Sequence, residues 1–308
     1  MRIVALFGPT GVGKTAVAVE LARLLRARGE DPVAISADAL QVYVGLETLT
    51  GVASAAERAL LEHRLVSFLA LDATFSAGQF AQLAHAEIDS LLEAGRRPIV
   101  VGGTGLYLRA ALTELSLRPP PPEGVRKRWT VELERYGAPA LHARLAERAP
   151  WAARKLDPAD RQRVVRALEL LDLGELPDPS TGEPPESQLW SEDVRHPTLL
   201  VGLTMEREAL YTAIDARVEA MLAAGVREEI ARAHAAGTSE TARKALGFED
   251  LLAGDVEGMK RHTRNYAKRQ MTWMRKLAGV RMIDVTGREA DAIAAEILDA
   301  ACGHNGGA

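Results

Sequence analysis

The chain has a single cysteine, Cys302, among its 308 residues. An internal disulfide needs two and a thiolate zinc centre needs more, so neither holds this fold together. Cys302 itself reads as a small, partly buried residue. Long apolar runs are missing as well. Nothing approaches the roughly 20 residues that cross a bilayer, and the leading run Ile3–Phe7 meets Gly8-Pro9 too soon for the core of a signal peptide. No membrane association is expected, and the expected compartment is the cytoplasm. A basic excess is also lacking: 38 Lys and Arg stand against 42 Asp and Glu, a net charge of −4. No global positive field draws a polyanion, so any nucleic-acid contact has to come from a local cluster. There is no internal repeat. What is present, 47% hydrophobic and 26% charged residues, is ordinary globular composition.

Ile3–Phe7 is a short unbroken apolar run ending in glycine, as a buried parallel strand does. Thr15 to Arg28 follows with helical spacing: Val17, Leu21, Leu24 and Leu25 share a face, and Gly29 closes it. Val33–Ile35 is a second strand. Residues 57–63 and 77–93 read as helices, the latter closed by Gly95, and 98–101 is a third strand before Gly102-Gly103. Strands and helices alternating in this way build a parallel α/β sheet. The pattern changes at "RPPPPEG" (118–124), whose four prolines remove donors and fix φ. From 125 to 174 the chain reads as all helix, "LPDPSTGEPPESQ" (176–188) interrupts it, and 199–203 returns as an apolar strand that needs a sheet to join. The expected organisation is an α/β core in two parts, residues 1–117 and 199–308, the second part carrying basic C-terminal helices. An all-helical insertion domain, 118–198, lies between them. Two consecutive domains are the alternative, and the returning strand argues against it.

"GPTGVGKT" (8–15), between the first strand and the first helix, matches the phosphate-loop pattern G-x-x-x-x-G-K-[ST]. It makes the core P-loop NTPase-like. Gly8, Gly11 and Gly13 let the backbone curl, so that its N–H groups converge on phosphate oxygens in the field of a helix N-terminus. Lys14 adds a full charge, and the Thr15 hydroxyl is placed to ligate Mg²⁺. A triphosphatase also carries an apolar strand ending in Asp. Here 98–101 ends in glycines, and the acid stands after the second strand instead, at Asp38. At the carboxyl end of a parallel strand it faces the ligand crevice. A helix N-cap or turn residue, a metal carboxylate and a general base all fit its spacing.

"KRHTRNYAKRQMTWMRK" (260–276) holds many cations and no acid. A charge run is usually a solvated face. This one interleaves Tyr266 and Trp273 on one helical face with Arg261, Arg264, Lys268, Arg269 and Arg275 around them, which makes a local patch for a polyanion. The two aromatics either stack on bases or pack into the core, and packing is the expectation.

Together these segments resemble the tRNA dimethylallyltransferases, also called tRNA isopentenyltransferases. The resemblance is carried by "GPTGVGKT", "SADALQVY" (36–43), "FSAGQF" (75–80), "GGTGLY" (102–107), "RVVRALEL" (163–170), "GFEDL" (247–251) and "TRNYAKRQMTWMRK" (263–276). The last of these and GGTGLY are the most specific. Ala39 replaces the family's usual Ser, Phe75 and Phe248 replace Tyr, and of the family's G-T-A-K-P only Thr50 survives in "LTGVA" (49–53). The resemblance implies transfer of a dimethylallyl group from dimethylallyl diphosphate to N6 of the adenosine 3′ of the tRNA anticodon (position 37). Gly8, Thr10, Gly11, Val12, Gly13, Lys14 and Thr15 would then hold the diphosphate with Mg²⁺ on Thr15. Asp38 would be the base, and Lys14, Thr15 and Arg217 would assist departure of the diphosphate. It further implies contacts to the anticodon stem-loop from Asp38, Ala39, Leu40, Gln41, Thr104 and Lys127. Gln162, Arg163, Val164, Val165, Arg166, Lys268, Arg269, Gln270 and Arg275 would add to them. A monomer suffices for all of this. The rival readings are a small-molecule P-loop kinase, an isopentenyltransferase acting on free adenine nucleotide, and a non-catalytic RNA-binding protein. The first two leave the basic helix unexplained, and intact Lys14, Thr15 and Asp38 argue against the third.

Overall fold

The computed structural model describes residues 2–118, 121–176 and 189–302. In chain order the elements begin with β1 (Ile3–Phe7), α1 (Lys14–Arg26), β2 (Pro32–Ser36), α2 (Glu47–Thr50), α3 (Ala55–Leu60), β3 (Glu62–Arg64), α4 (Ala77–Glu93), β4 (Arg97–Gly102) and α5 (Gly105–Leu112). Three helices follow: α6 (Glu123–Arg148), α7 (Pro150–Ala153) and α8 (Arg161–Asp172). The chain then runs through β5 (Thr198–Thr204), α9 (Arg207–Ala223), α10 (Val226–Ala236), α11 (Phe248–Leu252), α12 (Val256–Met274), β6 (Arg281–Asp284) and α13 (Ala290–Cys302). It divides into two compact units, Met1–Leu117 with Gln188–Ala308 and Arg118–Ser187.

The larger unit is built on one six-stranded sheet in the order β3-β2-β4-β1-β5-β6, with every neighbouring pair parallel. Alternation along β1 explains its unbroken apolar run. Val4 and Leu6 face a core shared with α1 and α13, and Ile3, Ala5 and Phe7 face a second core shared with α4 and α5. The returning strand β5 joins the sheet beside β1, with Ala5 opposite Leu200. A third apolar cluster joins the segment after β2 (Val42, Tyr43, Leu46) to α9, α10 and α11. The loops after β1, β2 and β4 leave the same edge of the sheet from adjacent strands, the crevice position of an open parallel sheet.

Two edge strands went unread in the sequence, β3 and β6. Residues 57–63 are not one helix: α3 stops at Leu60, Leu61 is extended (φ −145°), and β3 begins at Glu62. The smaller unit packs α6, interrupted at Gly137 (φ 77°), against α8 around Trp129, Leu141, Leu145, Val164 and Leu168. The Trp129 Nε1–H donates to Asp172 at 2.6 Å, and the buried Glu169 carboxylate is held by Arg126 (3.1 Å) and Arg166 (3.2 Å). This unit ends at Ser187, whereas the sequence reading carried the insertion to 198. The physical reason is that Trp190 stacks on Trp273 with ring centres 4.6 Å apart, and Arg195 pairs with Asp89 at 2.9 Å, both within the larger unit. Pro119-Pro120 and most of the second Pro-rich stretch (177–188) lie outside the described residues. Among the described residues no helix is long and apolar enough to cross a membrane.

Candidate active site

Where β1 ends, Gly8 to Gly13 wrap into the N-terminus of α1. Gly11 (φ 85°) and Gly13 (φ 90°) occupy the left-handed region, which a Cβ would strain. Two of the three Lys14 ammonium donors go to Gly8 O (2.8 Å) and Pro9 O (2.9 Å), which leaves one for the crevice. Burial, then the nearby Arg217 charge, lower the Lys14 pKa to about 8, against an opposing pull from Asp38. Thr10 and Thr15 line the crevice, and Val12 instead turns its side chain into the core. Val12 therefore offers a phosphate no side chain, and its N–H donates to Pro9 O at 3.3 Å.

Asp38 follows β2 and faces the same space. Its Oδ1 accepts the Leu40 N–H at 3.0 Å. Burial raises its pKa, opposed by that hydrogen bond and by Lys14 and Arg217. No helix starts there, so the N-cap reading fails, whereas the turn reading holds through that same bond to Leu40. Ala39 and Leu40 also line the space. Gln41 lines it too, but its amide is engaged by the protein: it accepts from Ser36 Oγ (2.8 Å) and donates to Gly51 O (3.0 Å). Arg217, on α9, reaches in across Gly51, where any Cβ would overlap its guanidinium. Burial lowers its pKa, and Asp38 and Glu57 oppose that shift.

The third loop follows β4. In GGTGLY each glycine makes room for a neighbour. A Cβ on Gly102 would overlap Ala37, one on Gly103 would overlap the Gln270 amide, and one on Gly105 would overlap the Trp273 ring. Thr104 lines the crevice, with its hydroxyl 3.4 Å from Tyr266 Oη. Burial, then Asp38, push the Tyr266 hydroxyl up to about 12, so it stays protonated. The three loops, α9 and α12 enclose a cavity of about 590 Å³.

The basic helix is α12. Lys268, Arg269 and Thr272 are exposed along it, and Arg275 and Lys276 are exposed just past its end. Lys268 lies over the Tyr211 ring (5.9 Å), and Arg269 over Tyr266 (5.5 Å). Trp273 packs into the core as expected, whereas Tyr266 lines the cavity. Gln270, expected on the RNA face, is instead buried, and both ends of its amide bond backbone groups. On the smaller unit, Lys127, Gln162 and Arg163 are exposed and Arg166 pairs with Glu169. Val164 is in that unit's core, which takes its side chain from any surface, and the half-buried Val165 packs against that core. Helical spacing puts residue 164 on the apolar face shared with Leu168.

Sequence reasoning missed Gly51 as the seat of Arg217, and it missed His63 and Glu57, which line the cavity from β3 and α3. The missed β3 is the reason for the last two. For Mg²⁺ the residues present fit: the Thr15 hydroxyl is a hard oxygen donor lining the same cavity as the phosphate loop, and Mg²⁺ is characteristically held by few protein groups, waters and substrate phosphates. Among the described residues no three of His, Cys, Asp or Glu form a metal cluster, so substrate oxygens would complete the coordination.

Comparisons with known proteins agree in kind. The family model described as IPP transferase matches residues 41–277. The tRNA dimethylallyltransferase of Kineococcus radiotolerans is 41% identical over 286 residues, covering 89% of this chain and 88% of that relative. That of Anaeromyxobacter dehalogenans is 42% identical over 291 residues, covering 91% and 94%. Among solved structures, the full-length tRNA isopentenylpyrophosphate transferase of Bacillus halodurans superposes with a TM-score of 0.69 at 32% identity, over 98% of this chain and 96% of that one.

Proposed function

The chain belongs to the IPP transferase family, and from that premise we propose that it moves the dimethylallyl group of dimethylallyl diphosphate onto N6 of the adenosine 3′ of the tRNA anticodon. The observation that carries this reading is a single cavity lined by a phosphate loop, the cations Lys14 and Arg217 among others, and a carboxylate of raised pKa, Asp38. The reaction breaks the bond between the allylic carbon and the bridging oxygen, whose electron pair leaves with the diphosphate. It forms a bond from that carbon to N6, which gives up one proton.

The adenine amine is a poor nucleophile because its lone pair is spread into the ring. Asp38 takes the proton as the new bond forms. Its raised pKa makes it a stronger base, and the Leu40 N–H holds its orientation. Loop N–H groups, the free donor of Lys14 and the Arg217 guanidinium meet the charge growing on the departing diphosphate. Thr15 would hold Mg²⁺ together with the diphosphate oxygens, and the ion's chemistry there is charge neutralisation. Thr10 and Thr104 wall the path between donor and acceptor, and excluding water from an allylic donor limits hydrolysis.

The acceptor base has to leave its stack, which costs roughly a few kcal/mol in a loop. The exposed cations Lys268, Arg269 and Arg275 pair with RNA phosphates beside the cavity. The test is to incubate the protein with the donor, Mg²⁺ and an anticodon stem-loop RNA, then map the product by mass. A prenyl group on N6 of the adenosine 3′ of the anticodon is expected. Modification elsewhere, or none, would overturn the assignment.

A further inference from the structure

The basic helix and the phosphate loop are joined through one side chain. Gln270, on α12, is 4% exposed. Its Oε1 accepts the Thr10 N–H at 2.8 Å, and its Nε2 donates to Gly103 O at 2.8 Å. Thr10 is in the phosphate loop and Gly103 in the loop after β4, so one amide spans two of the three loops that line the cavity. Gly103 makes room for it, since a Cβ there would overlap Nε2. The Thr10 N–H is thereby committed to the protein and withheld from the phosphate. Its neighbours Lys268 and Arg269 are exposed on the same helix.

We propose that Gln270 is a positioning residue for the transfer: it holds the phosphate loop in its diphosphate-binding shape and keeps that loop in register with the RNA-facing helix. The inference rests on the functional reading above. The chemistry at both ends requires an amide, one acceptor and one donor on a single rigid plane. A carboxylate would present an acceptor to the Gly103 carbonyl. A thioether would leave a loop N–H and a carbonyl unpaired in a buried place.

This makes Gln270→Glu a variant whose defect depends on pH. A carboxyl placed there is desolvated, which raises its pKa. Once protonated it can donate O–H to Gly103 O and accept from Thr10 N–H, as the amide does. The charged and titratable groups lining the same cavity are Lys14 on the loop, Asp38 after β2, Glu57 on α3, His63 on β3, Arg217 on α9, Lys244 before α11, and Tyr266 and Arg269 on its own helix. Lys14, Asp38 and His63 titrate in the parent too, so the quantity to follow is the ratio of variant to parent at each pH.

The experiment measures affinity for inorganic diphosphate in the presence of Mg²⁺, and separately for stem-loop RNA, with parent, Gln270→Met and Gln270→Glu. Thermal melting checks that each is folded. Gln270→Met is expected to weaken diphosphate binding by on the order of 10-fold at every pH, with RNA affinity nearly unchanged. Gln270→Glu should match that loss near pH 8.5 and recover toward the parent near pH 6 (both about the ends of the usable range). Charge repulsion alone would also give a recovering Glu variant, but it would leave the Met variant equal to the parent. A folded Met variant that binds diphosphate as the parent does, or a Glu variant whose ratio is flat with pH, overturns the proposal. These are binding ratios, so they stand or fall separately from whether the parent transfers a prenyl group.

Discussion

Asp38 and Lys14 line one cavity, and each perturbs the other's charge. Asp38→Asn keeps the shape and removes the base, so prenyl transfer in a single turnover should slow by on the order of 10²–10⁴ with both substrates still bound. Transfer within about threefold of the parent would remove Asp38 from that role. Lys14 gives a second, pH-resolved prediction. With a pKa of about 8 it loses its charge as pH rises through that value, so kcat/KM for the donor should decline there. In Lys14→Arg the charge persists, and the alkaline limb should move upward. A limb unmoved in that variant would belong to another group. Lys14→Ala and Thr15→Ala should weaken diphosphate binding and leave RNA binding nearly intact. Collapse of both together would mean the loop is not a dedicated diphosphate site.

At the scale of elements, α12 serves two faces. Outward, Lys268 and Arg275 are proposed phosphate partners, and for single-stranded RNA each should contribute about 0.7 to the slope of log affinity against log salt. Stem-loop affinity measured at several salt concentrations for Lys268→Ala and Arg275→Ala tests this. Unchanged slopes in both would make the helix a solvated face. Inward, Trp273 lies against Gly105, and Gly105→Ala should destabilise the fold by about 1–3 kcal/mol through overpacking. A urea midpoint equal to the parent's would refute the packing account of GGTGLY.

What the sequence made legible follows from the same faces. β1, β2, β4 and β5 each contain a continuous apolar run because both sides are buried, and the runs themselves marked them. β3 (Glu-His-Arg) and β6, three of whose four residues are exposed, lie at the sheet edges and carry no such signal. The phosphate loop and Asp38 were legible because their chemistry is local to a few residues. Gly51 beneath Arg217 and the Gln270 bridge were not, since each joins segments more than 160 positions apart, and helix periodicity alone gives a polar residue no direction.

For the whole molecule, the central claim is that its phosphate loop holds a prenyl donor and its acceptor is RNA. One large unit carries the cavity and α12, and a second helical unit interrupts its chain. A small-molecule kinase would need the loop and a triphosphate but no basic helix. An enzyme acting on free adenine nucleotide would need the prenyl donor but no RNA-facing cations. The most direct discrimination is one set of parallel reactions followed by mass. The protein and Mg²⁺ are combined with dimethylallyl diphosphate and stem-loop RNA, with dimethylallyl diphosphate and AMP, and with ATP and stem-loop RNA. The account predicts prenyladenosine in the first reaction only, with no phosphoryl transfer in the third. Prenylation of AMP in preference to the RNA, or phosphoryl transfer from ATP without prenylation, would contradict it.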